Sequence, residues 1–379
     1  MNPKIDHFVE EDNTLTFTLS GVDVCFVNAI RRTILSDIPT VVFKTMPYEE
    51  NKATILENTT RLNNEILKQR LSCIPIHITD LEIPLKNYLL EIDEENITDT
   101  LMYVTTQHFK VKNVATNKYL EEKDVRAIFP PYVPPTGKGE YYIDFVRLRP
   151  KISDEILGEK IKITCEFSIG TSREDSMFNV VGTCSYGYTP DPEQMNEELK
   201  KRQQTWKDEG KNEEDILYES SNWKLLEGLR YVKKNSFDFI LQSVGVFENA
   251  ELIVKACDIL LQKFKHFQDL MEKNEVPINE SVNTMDNCYD VILENEDYTM
   301  GNVLNYILYR IFYQELNVLT YCGFKKMHPH DSDSIIRLAF KEPTRSKTDI
   351  HTMFKTITDE ALKVFDKIIR LLGKGGTQK

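Results

Sequence analysis

Apolar positions follow the same pattern in two stretches that lie far apart in the chain. LTFTLSGVDVCFVNAIRRTIL begins at residue 15 and YDVILENEDYTMGNVLNYILY begins at residue 289, and each changes from a period of two to helical spacing. An offset of 274 residues aligns the two copies without a gap and pairs Leu19 with Leu293, Asp23 with Asp297, Asn28 with Asn302 and Ile30 with Leu304. Each copy predicts a strand, an acidic turn and an amphipathic helix, so the chain contains an internal repeat.

A second strand and helix follow in each repeat. Residues 236–244 and 335–340 alternate like strands, and the helices after them carry apolar residues three and four positions apart. These are Ile253, Cys257, Leu260, Phe264, Phe267 and Met271 in the first helix, and Phe354, Ile357, Ala361, Val364, Ile368 and Leu371 in the second. This is the spacing of a coiled-coil seam, although a single seam could pack on its own sheet. Two corresponding seams predict that the helices pair, through all of these residues except Met271 and Leu371.

The remaining segments have weaker patterns. Residues 46–156 contain a proline-rich turn and acidic stretches, which predict an inserted domain of mixed β character, and the alternating stretch 161–169 is expected to return to the first repeat. The charged segment 191–215 is expected to be a solvated insertion. The predicted fold class is α+β, and the predicted domains are a first dimerisation domain of residues 1–45 plus 157–271, an inserted domain of 46–156, a polar linker of 272–287 and a second dimerisation domain of 288–379.

The first repeat carries two consecutive arginines in its first helix. Phe26, Val27, Ile30 and Ile34 share one face of that helix, whereas Asn28 and Arg32 lie nearly opposite and Arg31 lies on the flank. The helix therefore buries one side and presents an edge that bears guanidinium groups. Such an edge is often only a solvated face, and the segment alone does not distinguish this from a contact surface.

Composition limits the function classes. The chain has 379 residues, 41% of them hydrophobic and 28% charged, with a net charge of −13. These fractions are typical of a soluble globular protein of two or three domains, and the negative charge makes nucleic-acid binding by this chain alone unexpected. No run of 18 apolar residues and no signal-like start is present, so we expect no membrane segment and a cytoplasmic protein.

Candidate chemistry is sparse. The seven cysteines are at least 19 residues apart, which predicts neither a zinc site nor a disulfide framework, and no cofactor is expected. The motif MHPHDSD offers His328, His330, Asp331 and Asp333 for a metal-dependent hydrolase, but a proline between two histidines is typical of a turn. No phosphate-binding loop, GxSxG or HExxH motif occurs. We therefore expect no enzyme in the isolated chain.

Several motifs in order resemble one family. NAIRRTILSDIPT resembles the signature helix of the bacterial alpha subunit and of the third-largest subunit of eukaryotic RNA polymerase II. NTTRLNNEILKQRLSCIPI and IGTSREDSMFNVVGTCSYGYTPDP resemble later segments of that third subunit, whereas ENEDYTMGNVLNYIL and YCGFKKMHPHDSDSIIRLAF are similar to the small eleventh subunit. The chain is therefore identified as a member of the alpha-like assembly subunits of multisubunit DNA-directed RNA polymerases. The fusion of both partners in one chain is the form associated with large cytoplasmic DNA viruses, and the sequence resembles the asfarvirus-type polymerase subunit.

The resemblance implies two alpha-like dimerisation units in one chain, which form a pseudo-symmetric intramolecular heterodimer with an inserted domain. It implies a non-catalytic scaffold that holds the two largest polymerase subunits. If the asfarvirus likeness holds, the transcription is viral and the protein is located in the host cytoplasm and the virion. Other small subunits would bind, nucleic acid would be contacted only indirectly, and neither membrane nor homodimer is expected. The residues that it implies for the large-subunit contact are Asn28, Arg31, Arg32, Ser36 and Pro39.

The sequence also departs from the family. Cellular third subunits often carry a four-cysteine zinc loop in the insert, but here no cysteine lies between Cys73 and Cys165, so zinc is not carried over. The second repeat has Asn305 and Tyr306 where the first has the two arginines, which puts a symmetric role in doubt. A stand-alone protein-interaction module with the same fold remains an alternative, because fold does not fix function.

Overall fold

The computed structural model describes residues 1–153, 155–282, 285–343 and 346–375. These form two compact units, the first of Met1–Thr33, Thr183–Gln242 and Ile253–Lys379, and the second of Ile34–Gly182 and Ser243–Leu252. Residue 154 of the predicted insert, residues 283–284 of the predicted linker, and residues 344–345 and 376–379 of the predicted last domain lie outside the described residues. No helix among the described residues is both long enough and apolar enough to cross a membrane.

Strands and helices are interspersed along the chain. The strands are β1 Lys4–Glu11, β2 Thr14–Ser20, β3 Thr40–Val42, β4 Ala53–Asn58, β5 Tyr88–Glu95, β6 Met102–Thr105, β7 Lys110–Asn113, β8 Lys118–Tyr119, β9 Asp144–Leu148, β10 Lys160–Glu166, β11 Ser168–Gly170, β12 Val181–Pro190, β13 Val232–Ser243, β14 Ile278–Glu280, β15 Cys288–Leu293, β16 Leu319–Lys325 and β17 Ser334–Phe340. The helices are α1 Val24–Ser36, α2 Asn64–Ser72, α3 Glu122–Ile128, α4 Pro192–Asp208, α5 Glu213–Leu225, α6 Asn249–Glu272, α7 Tyr298–Leu308 and α8 Lys347–Gly375.

The first unit contains two four-stranded sheets with the same connectivity. Their strand orders are β1-β2-β13-β12 and β14-β15-β17-β16. In each sheet the two central strands lead into helices: β2 and β13 precede α1 and α6, and β15 and β17 precede α7 and α8. The repeat found in the sequence is therefore also a repeat of topology, and the α+β fold class is confirmed.

The second unit is built on a five-stranded sheet in the order β4-β10-β5-β7-β8, with two-stranded ribbons β3–β11 and β6–β9. Its core contains an aromatic cluster in which Phe109 meets Phe129 and Phe145 edge to face, with ring centroids 5.3 and 5.8 Å apart. The predicted insert of 46–156 lies within this unit, whose longer segment begins at Ile34 and extends to Gly182. The unit contains α2 and α3 besides its strands.

Two expectations for single segments are wrong. The stretch 161–169 does not return to the first repeat, because β10 pairs with β4 and β5 of the second unit. The strand that joins the first sheet is β12, which lies beside β13. Alternation predicts a strand but does not say which sheet it joins. The predicted linker is partly a strand, since β14 pairs with β15 and buries Ile278.

The charged segment 191–215 is not a loop but contains α4 and the start of α5. Asp191 caps α4, since its side chain accepts a hydrogen bond from the Gln194 N–H at 3.1 Å, and a proline begins the helix. Along α4 the side chain of Leu199 is buried. A charged helix with so little apolar contact is consistent with the predicted solvated insertion.

A glycine in α7 tests the packing of the second sheet. A Cβ added at Gly301 would lie 1.9 Å from Cε2 of Phe324 on β16, so the ring would have to move. We expect Gly301→Ala to lower the free energy of unfolding by about 1–2 kcal/mol, because the overpacking exceeds the gain in helix propensity. Urea unfolding measures this.

Gly187→Ala in β12 is the matched control, because a Cβ there meets no atom within 4 Å. It should leave the midpoint of unfolding unchanged or slightly raised. Equal stability of the two variants would contradict the described contact between α7 and β16.

Candidate functional site

Three helices of the first unit meet at one phenylalanine. Phe365 of α8 lies 5.3 Å from Phe26 of α1 and 5.7 Å from Phe264 of α6, measured between ring centroids. All three side chains are fully buried. Aromatic rings at this separation contribute about 0.5–1.5 kcal/mol per pair beyond the area that they bury. Helices of the first repeat thus pack directly on the last helix of the second.

The contact between α6 and α8 continues beyond this cluster. The rings of Phe267 and Phe354 lie 6.0 Å apart. At the border, Gln268 Nε2 donates to Asp359 Oδ1 at 2.8 Å, and Lys355 Nζ lies 2.9 Å from Glu272 Oε1. An apolar centre with polar groups at its edge is the usual composition of a protein interface.

All ten residues predicted to pair these helices are buried, with at most 6% of each side chain exposed. The buried face of α8 is broader than a coiled-coil seam, because Ile350, Met353, Thr358 and Phe365 are buried as well. A narrow seam serves one contact, whereas a helix that packs on its own sheet and on a second repeat needs a wider apolar face. The sequence prediction omitted Phe365 because it follows Val364 directly and a strict seam takes only one of two neighbours.

Arg32 of α1 reaches the start of α7. Its Nη2 donates to Asp297 Oδ2 at 2.7 Å and its Nε donates to Thr299 Oγ1 at 2.9 Å. The other carboxylate oxygen, Asp297 Oδ1, accepts a hydrogen bond from the Thr299 N–H at 2.8 Å and so caps α7. One carboxylate therefore binds a guanidinium and the positive end of a helix, and both interactions favour its charge.

The positions that correspond to this pair in the other repeat, Tyr306 of α7 and Asp23 at the start of α1, are also near each other. The offset of 274 residues relates Arg32 to Tyr306 and Asp297 to Asp23. Asp23 caps α1 by accepting a hydrogen bond from the Cys25 N–H at 3.0 Å. Burial raises the pKa of the Tyr306 phenol, and the negative charge of nearby Asp23 adds to this rise. The starts of α1 and α7 are thus each approached by the other helix, as a pseudo-two-fold arrangement requires.

The expectation of a free arginine edge is therefore wrong for Arg32, whose guanidinium is bound within the chain. Arg31 differs, because its Nε and Nη2 donate only to Asn28 Oδ1 one turn earlier, at 3.0 and 2.9 Å. Two of its five N–H groups are used in this way, and its guanidinium forms no other hydrogen bond or ion pair with the described part of the chain. Arg31 and Asn28 are half-buried.

Ser36 and Pro39 of the predicted large-subunit contact belong to the second unit and are half-buried. Ser36 Oγ donates to Asp37 Oδ1 at 2.6 Å, and Asp37 also accepts hydrogen bonds from Arg173 at 2.7 and 3.0 Å. The surroundings of these residues are therefore polar and ordered. Their contact with another subunit stays a prediction, as it does for Asn28, Arg31 and Arg32.

The histidine cluster does not support a hydrolase. The rings of His328 and His330 lie 5.2 Å apart, and the His330 N–H donates to His328 Nδ1 at 3.2 Å. Asp333 accepts hydrogen bonds from the Asn295 N–H and from Ser332 Oγ, which tie it to the turn. The same two hydrogen bonds lower the pKa of its carboxyl. Within the described ranges no group of three or more His, Cys, Asp or Glu residues has a geometry that could hold a metal ion.

Comparison with known proteins identifies relatives of the first repeat. The sequence model of the RNA polymerase Rpb3/Rpb11 dimerisation domain family matches residues 16–264. The DNA-directed RNA polymerases I and III subunit rpac1 of Dictyostelium discoideum is 29% identical over 204 residues, which are 50% of this chain and 53% of the relative. The DNA-directed RNA polymerase subunit Rpo3 of Methanosphaera stadtmanae is 24% identical over 290 residues, 70% of this chain and 97% of the relative.

The human DNA-directed RNA polymerases I and III subunit RPAC1 is 26% identical over 203 residues, 50% of this chain and 55% of the relative. The chain thus spans about half the length of the Dictyostelium and human relatives and nearly all of the Methanosphaera one. The family match covers the first repeat and its insert, and the second repeat lies beyond it.

The ion pair between the two repeats predicts different effects for the two arginines. Arg32→Ala should lower the free energy of unfolding by about 1 kcal/mol, a value that allows for solvent screening of a pair whose side chains are 34% and 19% exposed. Arg31→Ala is the matched control and should cost less than about 0.5 kcal/mol, because it loses only a contact within its own helix.

A double-mutant cycle of Arg32→Ala and Asp297→Ala in urea unfolding isolates the pair. We expect a coupling free energy of about 0.5–1 kcal/mol that decreases with salt. A coupling of zero at low salt would mean that the pair does not form in solution.

Proposed function

The chain belongs to the Rpb3/Rpb11 dimerisation domain family of RNA polymerase subunits, and from this we propose that it is the assembly scaffold that holds the two largest subunits of a DNA-directed RNA polymerase. The relatives in this family are themselves named as polymerase subunits. The observation that carries the proposal is the packing of α1 and α6 on α8, which joins two topologically equivalent repeats within one chain. The chain contributes a rigid surface and performs no chemistry itself.

Rigidity is what a scaffold requires of this helix pair. Binding a partner to a surface that is already ordered avoids the entropy of ordering it, so more of the contact energy appears as affinity. The start of α1 is held by its own cap and by the aromatic cluster around Phe365. The Arg32 ion pair to Asp297 fixes the middle of the same helix. Arg31 is thus presented from a helix that has little freedom to move.

Arg31 is the residue that we propose for the contact with the second-largest subunit, together with Asn28. Its planar guanidinium keeps N–H groups that this chain does not use, and such groups bind carboxylates or backbone carbonyls of a partner bidentately. Arginine is also enriched among the residues that dominate interface energetics. Arg32, Ser36 and Pro39 belong to the proposed contact as well, but Arg32 already has an internal role.

The proposed viral origin and location rest on the presence of both repeats in one chain. The second repeat corresponds to the eleventh subunit, and its presence on the same chain favours a polymerase of a large cytoplasmic DNA virus, located in host cytoplasm and virion. Other small subunits complete the complex, and nucleic acid is bound by the large subunits. Of the predicted domains we retain 46–156 as the insert and 288–379 as the second dimerisation domain, whereas 34–45 and 157–182 of the predicted first dimerisation domain belong to the second compact unit. The connection 272–287 includes β14.

Pairing within the chain also explains why a homodimer is not needed. A connection of 16 residues can span roughly 50 Å when extended, and tethering gives an effective concentration in the millimolar range. The second repeat on the same chain therefore competes successfully against any other copy at micromolar protein. Each repeat finds its partner without a second chain.

Replacement of Arg31 tests the scaffold function. When the chain is co-expressed with the two largest subunits, Arg31→Ala should reduce their recovery with the tagged chain by about tenfold or more, because loss of a buried charge-assisted contact costs about 2–5 kcal/mol. Its stability alone should stay close to that of the unmodified chain. Recovery is measured by quantitative mass spectrometry of the purified complex.

Asn305→Ala is the matched control, since this residue occupies the position of Arg31 in the second repeat. It should leave recovery of the second-largest subunit unchanged. Normal assembly of the folded Arg31→Ala protein would refute the assignment of this surface. Absence of polymerase subunits from purifications of the unmodified chain would instead favour a stand-alone interaction module.

A further inference from the structure

Four arginines line one cleft of the second unit. The cleft has a volume of about 300 Å³, and its wall includes Arg61, Arg70, Arg147 and Arg149 together with Tyr103 and Leu62. Two carboxylates, Asp144 and Glu159, also line it, so the local charge is positive by two. The chain as a whole has a net charge of −13, so the charge of this cleft is opposite in sign to that of the chain.

Regular structure presents the arginines and the tyrosine at the surface. In the β6–β9 ribbon Tyr103 is directly opposite Arg147, and both are exposed, whereas their neighbours Val104 and Val146 are buried. Alternation along the two strands therefore places an aromatic ring and a guanidinium side by side on the outer face.

Arg61 lies in a turn that hydrogen bonds hold in place. The Asn58 side chain donates to the Leu62 carbonyl at 2.9 Å and accepts from the Thr60 N–H at 3.0 Å. The turn leads into α2, which is capped by Asn63 through a hydrogen bond of 2.9 Å from the Ile66 N–H. The backbone that carries Arg61 is therefore ordered before any ligand arrives.

Two of the four arginines have structural partners. Arg70 donates to the carbonyl oxygens of Asp144 and Phe145, both at 2.6 Å, and so ties α2 to β9. Arg149 binds the buried carboxylate of Glu159 through its side chain and its backbone N–H. The guanidinium groups of Arg61 and Arg147, by contrast, form no hydrogen bond or ion pair with the residues that the structure describes.

We propose that this cleft binds the carboxylate side chains of an acidic segment of a partner protein. Arg61 and Arg147 each offer a planar fork that matches a carboxylate, and the fork forms two charge-assisted hydrogen bonds at once. The exposed ring of Tyr103 and the side chain of Leu62 add apolar contact for residues beside the acidic ones. This binding does not depend on the assembly of a polymerase.

The charge distribution favours a short acidic peptide over nucleic acid. Screening at physiological salt limits electrostatic effects to about 8 Å, so a short peptide senses mainly the positive cleft. Double-stranded DNA carries a charge about every 1.7 Å of its axis, and a nucleic acid longer than the cleft extends onto the surface of a chain whose net charge is −13. The two unpaired guanidinium groups neutralise two carboxylates but only a small part of such a polyanion.

Fluorescence anisotropy with the full chain tests the inference. The probe is a labelled, end-blocked peptide of sequence GDLEFG, and its neutral counterpart GNLQFG is the ligand control. We expect GDLEFG to bind with a dissociation constant of about 1 mM or lower at 50 mM salt, and GNLQFG to bind at least tenfold more weakly. The double variant Arg61→Gln with Arg147→Gln should weaken binding of GDLEFG by at least tenfold.

The matched control is Lys200→Gln with Arg202→Gln, which removes two positive charges from exposed positions of α4 and should leave binding unchanged. As a measurement without variants, bound GDLEFG should protect Arg61 and Arg147 of the unmodified chain from modification by phenylglyoxal. Absence of saturable binding, or binding that the cleft variant does not change, would overturn the inference. Unlabelled peptide, inorganic phosphate and single-stranded DNA are compared as competitors of the labelled peptide. Displacement by phosphate or DNA at a lower concentration than by unlabelled peptide would also overturn the inference, in favour of a phosphate site.

Discussion

The packing of Phe365 against Phe26 and Phe264 is the interaction on which the first unit depends. Each repeat contributes one four-stranded sheet with two helices that follow its central strands, and the buried face of α8 is broader than its predicted seam. A layer of helices that remains apolar on its outer side must pack on a second layer. In the first unit α8 of the second repeat packs on α1 and α6 of the first.

The polar contacts around the aromatic cluster determine which surfaces meet. Asp297 caps α7 and binds Arg32 of α1, so a small rotation between the repeats would break a cap-linked ion pair. In the reverse direction Tyr306 lies near Asp23, the cap of α1, without an ion pair. The two repeats are therefore related in geometry but different in chemistry. The Arg32 guanidinium is bound to the second repeat, whereas that of Arg31 is bonded only to Asn28 of its own helix.

The sequence predicted the repeat and its strand–helix units, and the ten residues predicted to pair the helices are buried, because the periods of two and about 3.6 record which side of an element is buried. It did not predict that β10 joins the second unit, since alternation carries no information about the neighbouring strand. It also placed Arg32 on a free edge, because the view of one helix omits the partner that covers it. The offset of 274 residues contained this information, because it relates Arg32 to Tyr306 and Asp297 to Asp23. If a two-fold axis relates the two repeats, a contact between Tyr306 and Asp23 implies one between Arg32 and Asp297.

Cleavage of the connection between the repeats tests the pairing most directly. A protease site inserted at Asn274, which is exposed and precedes β14, allows the chain to be cut after folding and leaves β14 on the same fragment as β15. The intact protein should have a monomeric mass of 44.2 kDa by light scattering at micromolar concentration, and after cleavage the two fragments should still elute as one species of that mass. A stable dimer of the intact chain, or fragments that separate after cleavage, would contradict pairing of the two repeats within one chain.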